Sequence, residues 1–324
     1  ETSDLWVETE ERIAVTAIEG VVVPTYIQPI IDDEFHKQLS HRVVPDLYTK
    51  DEPAMFFSRS KGPVVPGKRV DVTIIITVYK RKYLSEQLQA LLSATAVPEE
   101  ILILHYEDHI DITSVVKRYR RQFPSIRVIH SDLNLKFFGR WSMTAHVRTE
   151  FTWVLDDDVI PGRKWLERCC EKCASLNAEI SCTGRIIPEG DYRPERGEKP
   201  DKAKYFIGDC YNTGAFNYCP EDTVVDYACN SYFFKTEWIK DFWGSWPHSL
   251  INGDDMHLSV TLKLRKNIDT VVLSQVCADT TGNLNKKYGW DEHSSWKKDD
   301  FHDVREDVLK NMIEERGWKP LLWP

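Results

Sequence analysis

No uncharged apolar run in this chain of 324 residues approaches the roughly 18 residues needed to cross a bilayer. The longest are residues 20–31, which are interrupted by Pro24 and Pro29, and residues 72–79, so the chain as given is expected to be soluble. A basic excess is missing as well. The 42 Lys and Arg face 51 Asp and Glu, giving a formal charge of −9. That balance excludes a general phosphate-binding surface for nucleic acid but leaves room for a local basic pocket. Nor is the chain short of hydrophobic residues: at 42% it can build a sizeable core, which rules out a disordered or collagen-like polymer. The eight cysteines include a C-x-x-C at Cys170 and Cys173, but no second such pair and no His pair completes a zinc tetrahedron. Cys169, Cys170 and Cys173 are therefore expected to be buried or half-buried thiols on a helix.

What is present changes character along the chain. Residues 1–69 are polar and punctuated by proline, with turn chemistry at Lys61-Gly62-Pro63 and Pro66-Gly67. This stretch reads as an N-terminal arm that packs on the core or on another subunit of a homo-oligomer. From residue 70 the texture is that of an α/β domain extending to residue 290, with halves at 70–160 and 161–290, followed by a C-terminal tail and helix at 291–324. The β-branched run at 72–78 is too continuous for a strand with one wet face, so it is expected to be a fully buried central strand. A helix follows over 82–95, with Leu84, Leu88, Leu91 and Leu92 at helical spacing. Strands at 100–104, 126–130 and 151–155 alternate with helices at 112–123 and 139–149. That alternation predicts a mostly parallel central sheet with helices on both faces. Ligands of such sheets bind beyond the carboxyl ends of the strands, which directs attention to the residues just after Val78, Leu104, His130 and Leu155.

Chemistry gathers at those ends. Asp156, Asp157 and Asp158 follow the fourth strand, and adjacent carboxylates repel one another unless a cation sits among them. A hard divalent ion needs oxygen ligands, and where diphosphate oxygens share the ion, one or two protein carboxylates suffice. A solvated acidic turn capping the next helix is the plainer alternative. Thr77, Tyr79 and Arg81 lie where a nucleotide base or phosphate would meet the first strand. Glu107 and Asp108 can accept hydrogen bonds from a base or a ribose hydroxyl, and Asn134 and Arg140 can face the same crevice. Further on, Asp254 and Asp255 open a helical pattern of Met256, Val260 and Leu264; capping of the helix dipole explains acids there equally well.

The stretches VTIIITVYKR (72–81), NLKFFGRWSM (134–143), FTWVLDDDVIPG (151–162) and NGDDMHLSV (252–260) resemble, in this order, the GT-A glycosyltransferases. Within that class they are similar to exostosin-like and family-2 enzymes. The resemblance implies a Rossmann-like GT-A domain in which Mn²⁺ or Mg²⁺ bridges Asp158, Asp156 and the diphosphate of a nucleotide sugar, with uridine favoured as the base. It implies that Asp255, with Asp254 beside it, faces the reacting sugar. There it would be a general base if transfer inverts the anomeric centre, or would stabilise positive charge if transfer retains it. His293 is implied as a third metal ligand, with a surface His in an exposed turn before Ser294 and Ser295 the plainer alternative. Independently of the resemblance, the polar loop between Gly282 and Gly289 offers Lys286 or Lys287 as a partner for leaving-group charge.

Arg185 and the indoles of Trp243 and Trp246 are expected on the acceptor side, where a sugar ring packs its C–H face on aromatic rings. The acceptor is then a glycan, glycolipid or glycoprotein hydroxyl. A sugar-phosphate nucleotidyltransferase of the same fold would carry a glycine-rich loop after the first strand, and Val78-Tyr79-Lys80-Arg81 lacks it. A non-catalytic carbohydrate-binding protein would have no need for both acidic motifs. The absence of any Asn-x-Ser/Thr sequon tilts the expected compartment from the Golgi lumen towards the cytoplasm.

Overall fold

Continuous burial on both faces of residues 72–76 makes them the centre of the molecule. In the computed structural model they lie within strand β1 (Lys68–Val78), where each is at most 1% exposed. The structure describes residues 67–193, 202–209, 216–285, 289 and 291–324, so the expected arm lies outside the described residues except for its last three. The chain continues through α1 (Leu84–Leu92), β2 (Ala96–Tyr106), α2 (Thr113–Arg120), β3 (Ile126–Ser131), α3 (Lys136–Ser142) and β4 (Phe151–Leu155). Strands β1, β2, β3 and β4 pair in parallel in the order β3-β2-β1-β4. The path therefore steps outward from β1 to β3 and then crosses back to the other side of β1. Because parallel crossovers are right-handed, this reversal puts α1 and α2 on one face and α3 on the other. It also opens a crevice between the carboxyl ends of β1 and β4.

The second half extends the sheet through α4 (Trp165–Leu176), β5 (Glu179–Ser181), β6 (Thr183–Arg185), α5 (Lys202–Tyr205), β7 (Phe206–Ile207), β8 (Thr223–Val225), β9 (Tyr227–Cys229) and β10 (Ser231–Lys235). After these come α6 (Ile239–Trp243), α7 (Asp254–Lys266), β11 (Thr270–Val272) and α8 (Phe301–Lys310). The full order is β3-β2-β1-β4-β10-β5-β11-β8, with β7-β6-β9 as a separate small sheet. Strand β10 enters antiparallel between β4 and β5. The single strand expected over 227–234 is in fact two. Asn230 takes a left-handed φ of 67°, a conformation that Asn tolerates better than most residues, and the chain leaves the small sheet there to join the large one. The cysteines of α4 behave as expected: Cys169 and Cys173 are buried and Cys170 half-buried, all as free thiols.

Helix α7 is buried on every side from Asp254 to Leu262. Leu258 and Leu262 face the main core, while Met256 and Val260 join Val308, Leu309, Met312 and Trp318 of the C-terminal segment in a second apolar cluster. Leu264, the third residue of the expected stripe, is 44% exposed. Residues 291–324 thus pack back on the domain, and they bury the helix start that carries the two acids.

Candidate active site

The acidic turn is held by side chains from two other parts of the chain and by a backbone carbonyl from a third. Gln87, fully buried on α1, donates from Nε2 to the carbonyls of Asp156 (2.8 Å) and Val159 (2.9 Å). The Asp156 amide donates to Asn230 O at 3.0 Å, Asn285 Nδ2 donates to Asp158 O at 2.7 Å, and Asn283 Oδ1 accepts from the Ile160 amide at 3.0 Å. These bonds hold the backbone of the turn at the carboxyl end of β4.

Two guanidinium groups meet those carboxylates. Arg140 donates to Asp156 Oδ1 and, from Nε and NH2, to Asp254 Oδ2 at 3.1 and 2.7 Å. Trp141 Nε1 adds a bond of 2.6 Å to the same oxygen, and its indole is locked between Tyr232 and Phe242 at 5.3 and 5.0 Å. Arg81 reaches Asp157 Oδ1 at 2.6 Å, Asp158 Oδ2 at 3.3 Å, and Asp291 through a pair of bonds at 2.6 and 2.9 Å. Asp254 and Asp255 are neighbours at the start of α7, and the helix directs them apart. Asp254 joins the Arg140 frame, whereas Asp255 accepts Arg305 NH1 and NH2 on its two oxygens at 2.8 and 3.0 Å.

Five carboxylates (Asp156, Asp157, Asp158, Asp254 and Asp291) thus share two guanidiniums. Burial is the largest influence on the acidic turn. It pushes Asp156 up to about 6 against the pull of Arg140, and Asp158 up to about 7 against Arg81, with Asp157 and Asp156 repelling it further. Burial opposes charge on Arg140 too, but Asp254 and Asp156 outweigh it and hold that group well above its ordinary value. Burial thus disfavours negative charge on the turn, and its gathered carboxylate oxygens are the donor set of a hard cation.

The other expected residues are placed as follows. Thr77 is the penultimate residue of β1, and its buried Oγ1 has no hydrogen-bond partner among the described residues. Tyr79 sets its ring edge on His109 at 5.0 Å. Glu107 (φ 49°) accepts from His109 Nε2 at 3.1 Å, and the side chain of Asp108 is 81% exposed. Asn134 acts locally, its Oδ1 accepting from the Lys136 amide at 2.8 Å and so shaping the entry to α3. Arg185 stacks over Phe206 at 4.1 Å and pairs with Asp209 at 3.3 Å.

Trp243 packs edge-on against Phe242 at 4.8 Å, and the Trp246 carbonyl accepts from Arg316. Lys286 and Lys287 lie outside the described residues. His293 is not gathered with Asp156 and Asp158. Its backbone amide donates to Asp291 Oδ1 (2.9 Å) and its ring lies 3.6 Å from Glu292. Asp291 meets the turn through Arg81, and the Gly289 amide donates to Asp158 Oδ2 at 3.3 Å. Gln87, Asn230, Asn285, Asp291 and Arg305 went unread in the sequence. Of these only Gln87 left a local signal, as a polar residue on the apolar face of its helix.

The sequence profile of glycosyl transferase family 2 matches residues 73–237, half of the chain. The chain belongs to that family, and its sheet is that of a GT-A domain. Among solved structures it is similar to TarS residues 1–349 of S. aureus at 17% identity, covering 64% of this chain and 58% of that one with a TM-score of 0.42. The chain therefore spans less than two thirds of that protein's length. It is also similar to the mannosyltransferase PcManGT of Pyrobaculum calidifontis, solved in complex with GDP-Man and Mn²⁺. There the identity is 16%, coverage is 82% of this chain and 70% of that one, and the TM-score is 0.48. No curated protein matches the chain.

Proposed function

We propose that the chain is a metal-dependent glycosyltransferase that moves a sugar from a nucleoside diphosphate sugar, with UDP the favoured nucleotide, to a hydroxyl of a glycan or glycoconjugate. One observation carries this reading. At the switch point between β1 and β4, five carboxylates, Asp158 and Asp254 buried and the other three half-buried, share two guanidiniums. Family membership supports the same conclusion.

The oxygen donors of Asp158 and Asp156 fit Mn²⁺ or Mg²⁺, which when bound would supply Lewis-acid stabilisation of the departing nucleoside diphosphate. The chain's own residues do the rest. Arg140 orients Asp156 and ties it to α7 through Asp254. Arg81 presents a guanidinium at the corner where a diphosphate would lie. Thr77, Tyr79 and Glu107 line the nucleotide side at the ends of β1 and β2. Asp255, its carboxylate fixed by Arg305, acts at the reacting sugar: it takes the acceptor proton if transfer inverts the anomeric centre, and faces developing positive charge if transfer retains it.

Calorimetry with UDP, with and without Mn²⁺, tests the assignment. Binding is expected to require Mn²⁺, and Asp158→Ala to abolish it. Asp255→Asn is expected to keep binding within a few-fold of the parent and to lose turnover. Equal loss of binding in both variants would refute the division of roles. Binding of a nucleoside triphosphate with a sugar phosphate instead of UDP would refute the transferase. A screen of donor hydrolysis across UDP- and GDP-sugars identifies the donor.

A further inference from the structure

A second set of potential ligands lies on β2 and β3, and it shares no residue with the acidic turn. Parallel register makes His105 and His130 direct cross-strand partners. Their rings are 5.1 Å apart and tilted by 55°, and the two Nδ1 atoms approach to 3.3 Å. Beyond β2 the left-handed turn at Glu107, pinned by its amide to Ser131 O at 2.8 Å, folds Asp108 back towards β3. Asp108 Oδ1 lies 3.8 Å from His130 Nδ1, and one donor atom from each of the three residues falls within 4.8 Å of the other two. Among the described residues this is the one group of three or more His, Cys, Asp or Glu side chains gathered so closely.

We propose that His105, His130 and Asp108 bind a transition-metal ion, with Zn²⁺ the ion best suited to these donors. Two imidazoles and a carboxylate suit a borderline cation, whereas Mg²⁺ and Ca²⁺ take oxygen ligands. With Zn–N bonds of about 2.0–2.1 Å, two nitrogens of a tetrahedral site stand about 3.3–3.4 Å apart, which is the separation the sheet register already enforces. Rotation of the exposed Asp108 carboxylate closes the wider edge, and the fourth position remains open to water. The outer partner is also in place. Asp132 Oδ1 lies 3.2 Å from His130 Nε2, so it accepts that N–H and leaves the Nδ1 lone pair for a metal, the carboxylate–histidine–metal arrangement of many such sites. His105 is 4% exposed and anchored in the sheet, so one ligand is fixed before an ion arrives. A bound ion would tie the turn after β2 to β3 and commit Asp108 to the metal, leaving Glu107 as the acid of the nucleotide side.

The test uses the full chain without a histidine tag, stripped with chelator and titrated with Zn²⁺ against a chromophoric chelator. The visible spectrum of the Co²⁺ form reports coordination. One ion per chain is expected, and it should persist in Asp158→Ala. His130→Gln and Asp108→Asn should remove it, and Asp132→Asn should weaken it by about tenfold. Asp108 is exposed, so its variant should fold with a urea midpoint close to that of the parent. The proposal is overturned if zinc binding survives in His130→Gln, is lost in Asp158→Ala, or is absent from the parent. It is also overturned if Asp108→Asn binds zinc as tightly as the parent. None of these outcomes depends on whether the chain transfers a sugar.

Discussion

Arg140→Met is the sharpest test of the electrostatic frame. The guanidinium is buried and serves two carboxylates, Asp156 on the acidic turn and Asp254 at the start of α7. Removing one partner of a buried ion pair strands the other charge, at a cost of about 3–5 kcal/mol. Trp141 still donates to Asp254, so the larger share of the loss falls on Asp156. Its pKa already stands at about 6 and rises further without Arg140. An acid whose pKa is raised by folding holds its proton in the native state after the unfolded chain has released one. Stability therefore falls as pH rises through that window, and the deficit of the variant should be larger at about pH 8 than at about pH 5.

Urea unfolding followed by tryptophan fluorescence, without divalent cations, reads this directly. Asp254→Asn in the Arg140→Met background should cost less than in the parent, with a coupling of about 2 kcal/mol for residues in direct contact. Additive losses within about 0.5 kcal/mol, or a total loss for Arg140→Met below about 1 kcal/mol, would refute the frame.

Other expectations concern neighbouring parts of the molecule. Glu179 is fully buried, with Ser259 and Thr270 donating to one oxygen at 2.7 and 2.8 Å, and burial pushes it from 4.5 up to about 7. Its contribution to stability falls by about 3 kcal/mol as pH rises across that interval. Glu179→Gln, which mimics the protonated acid, should flatten the pH profile of thermal melts between about pH 5 and 8, and an unchanged profile would rule this out. Arg305→Lys loses the two-pronged grip on Asp255. It should lower turnover at least tenfold more than UDP affinity, and equal effects in steady-state kinetics and calorimetry would contradict the positioning role. Gly282→Ala would drive a Cβ into that of Cys182 and to 2.9 Å from the Trp165 ring. Overpacking of this kind costs about 2–3 kcal/mol, measurable as a lower urea midpoint.

The sequence alone determined the layered plan and the location of the chemistry. The run FTWVL is so continuously apolar that β4 occupies the expected residues 151–155. The acids behind it therefore had to emerge at a strand end, and alternation with helices made the sheet mostly parallel. The antiparallel entry of β10 was not legible, because the pattern over 227–234 reads as one strand and only the left-handed turn at Asn230 splits it. Partner choice was equally hidden. Arg140 meets Asp254 across 114 residues and Arg81 meets Asp291 across 210, and no local periodicity encodes such pairings. Asp254 and Asp255 are adjacent in the chain, yet one helical step sends them to different arginines. His105 and His130 became neighbours only through the register of β2 on β3. Tertiary structure decided these points because a side chain's reach is a few ångströms, and which groups fall within it depends on strand order, register and helix rotation over the whole domain.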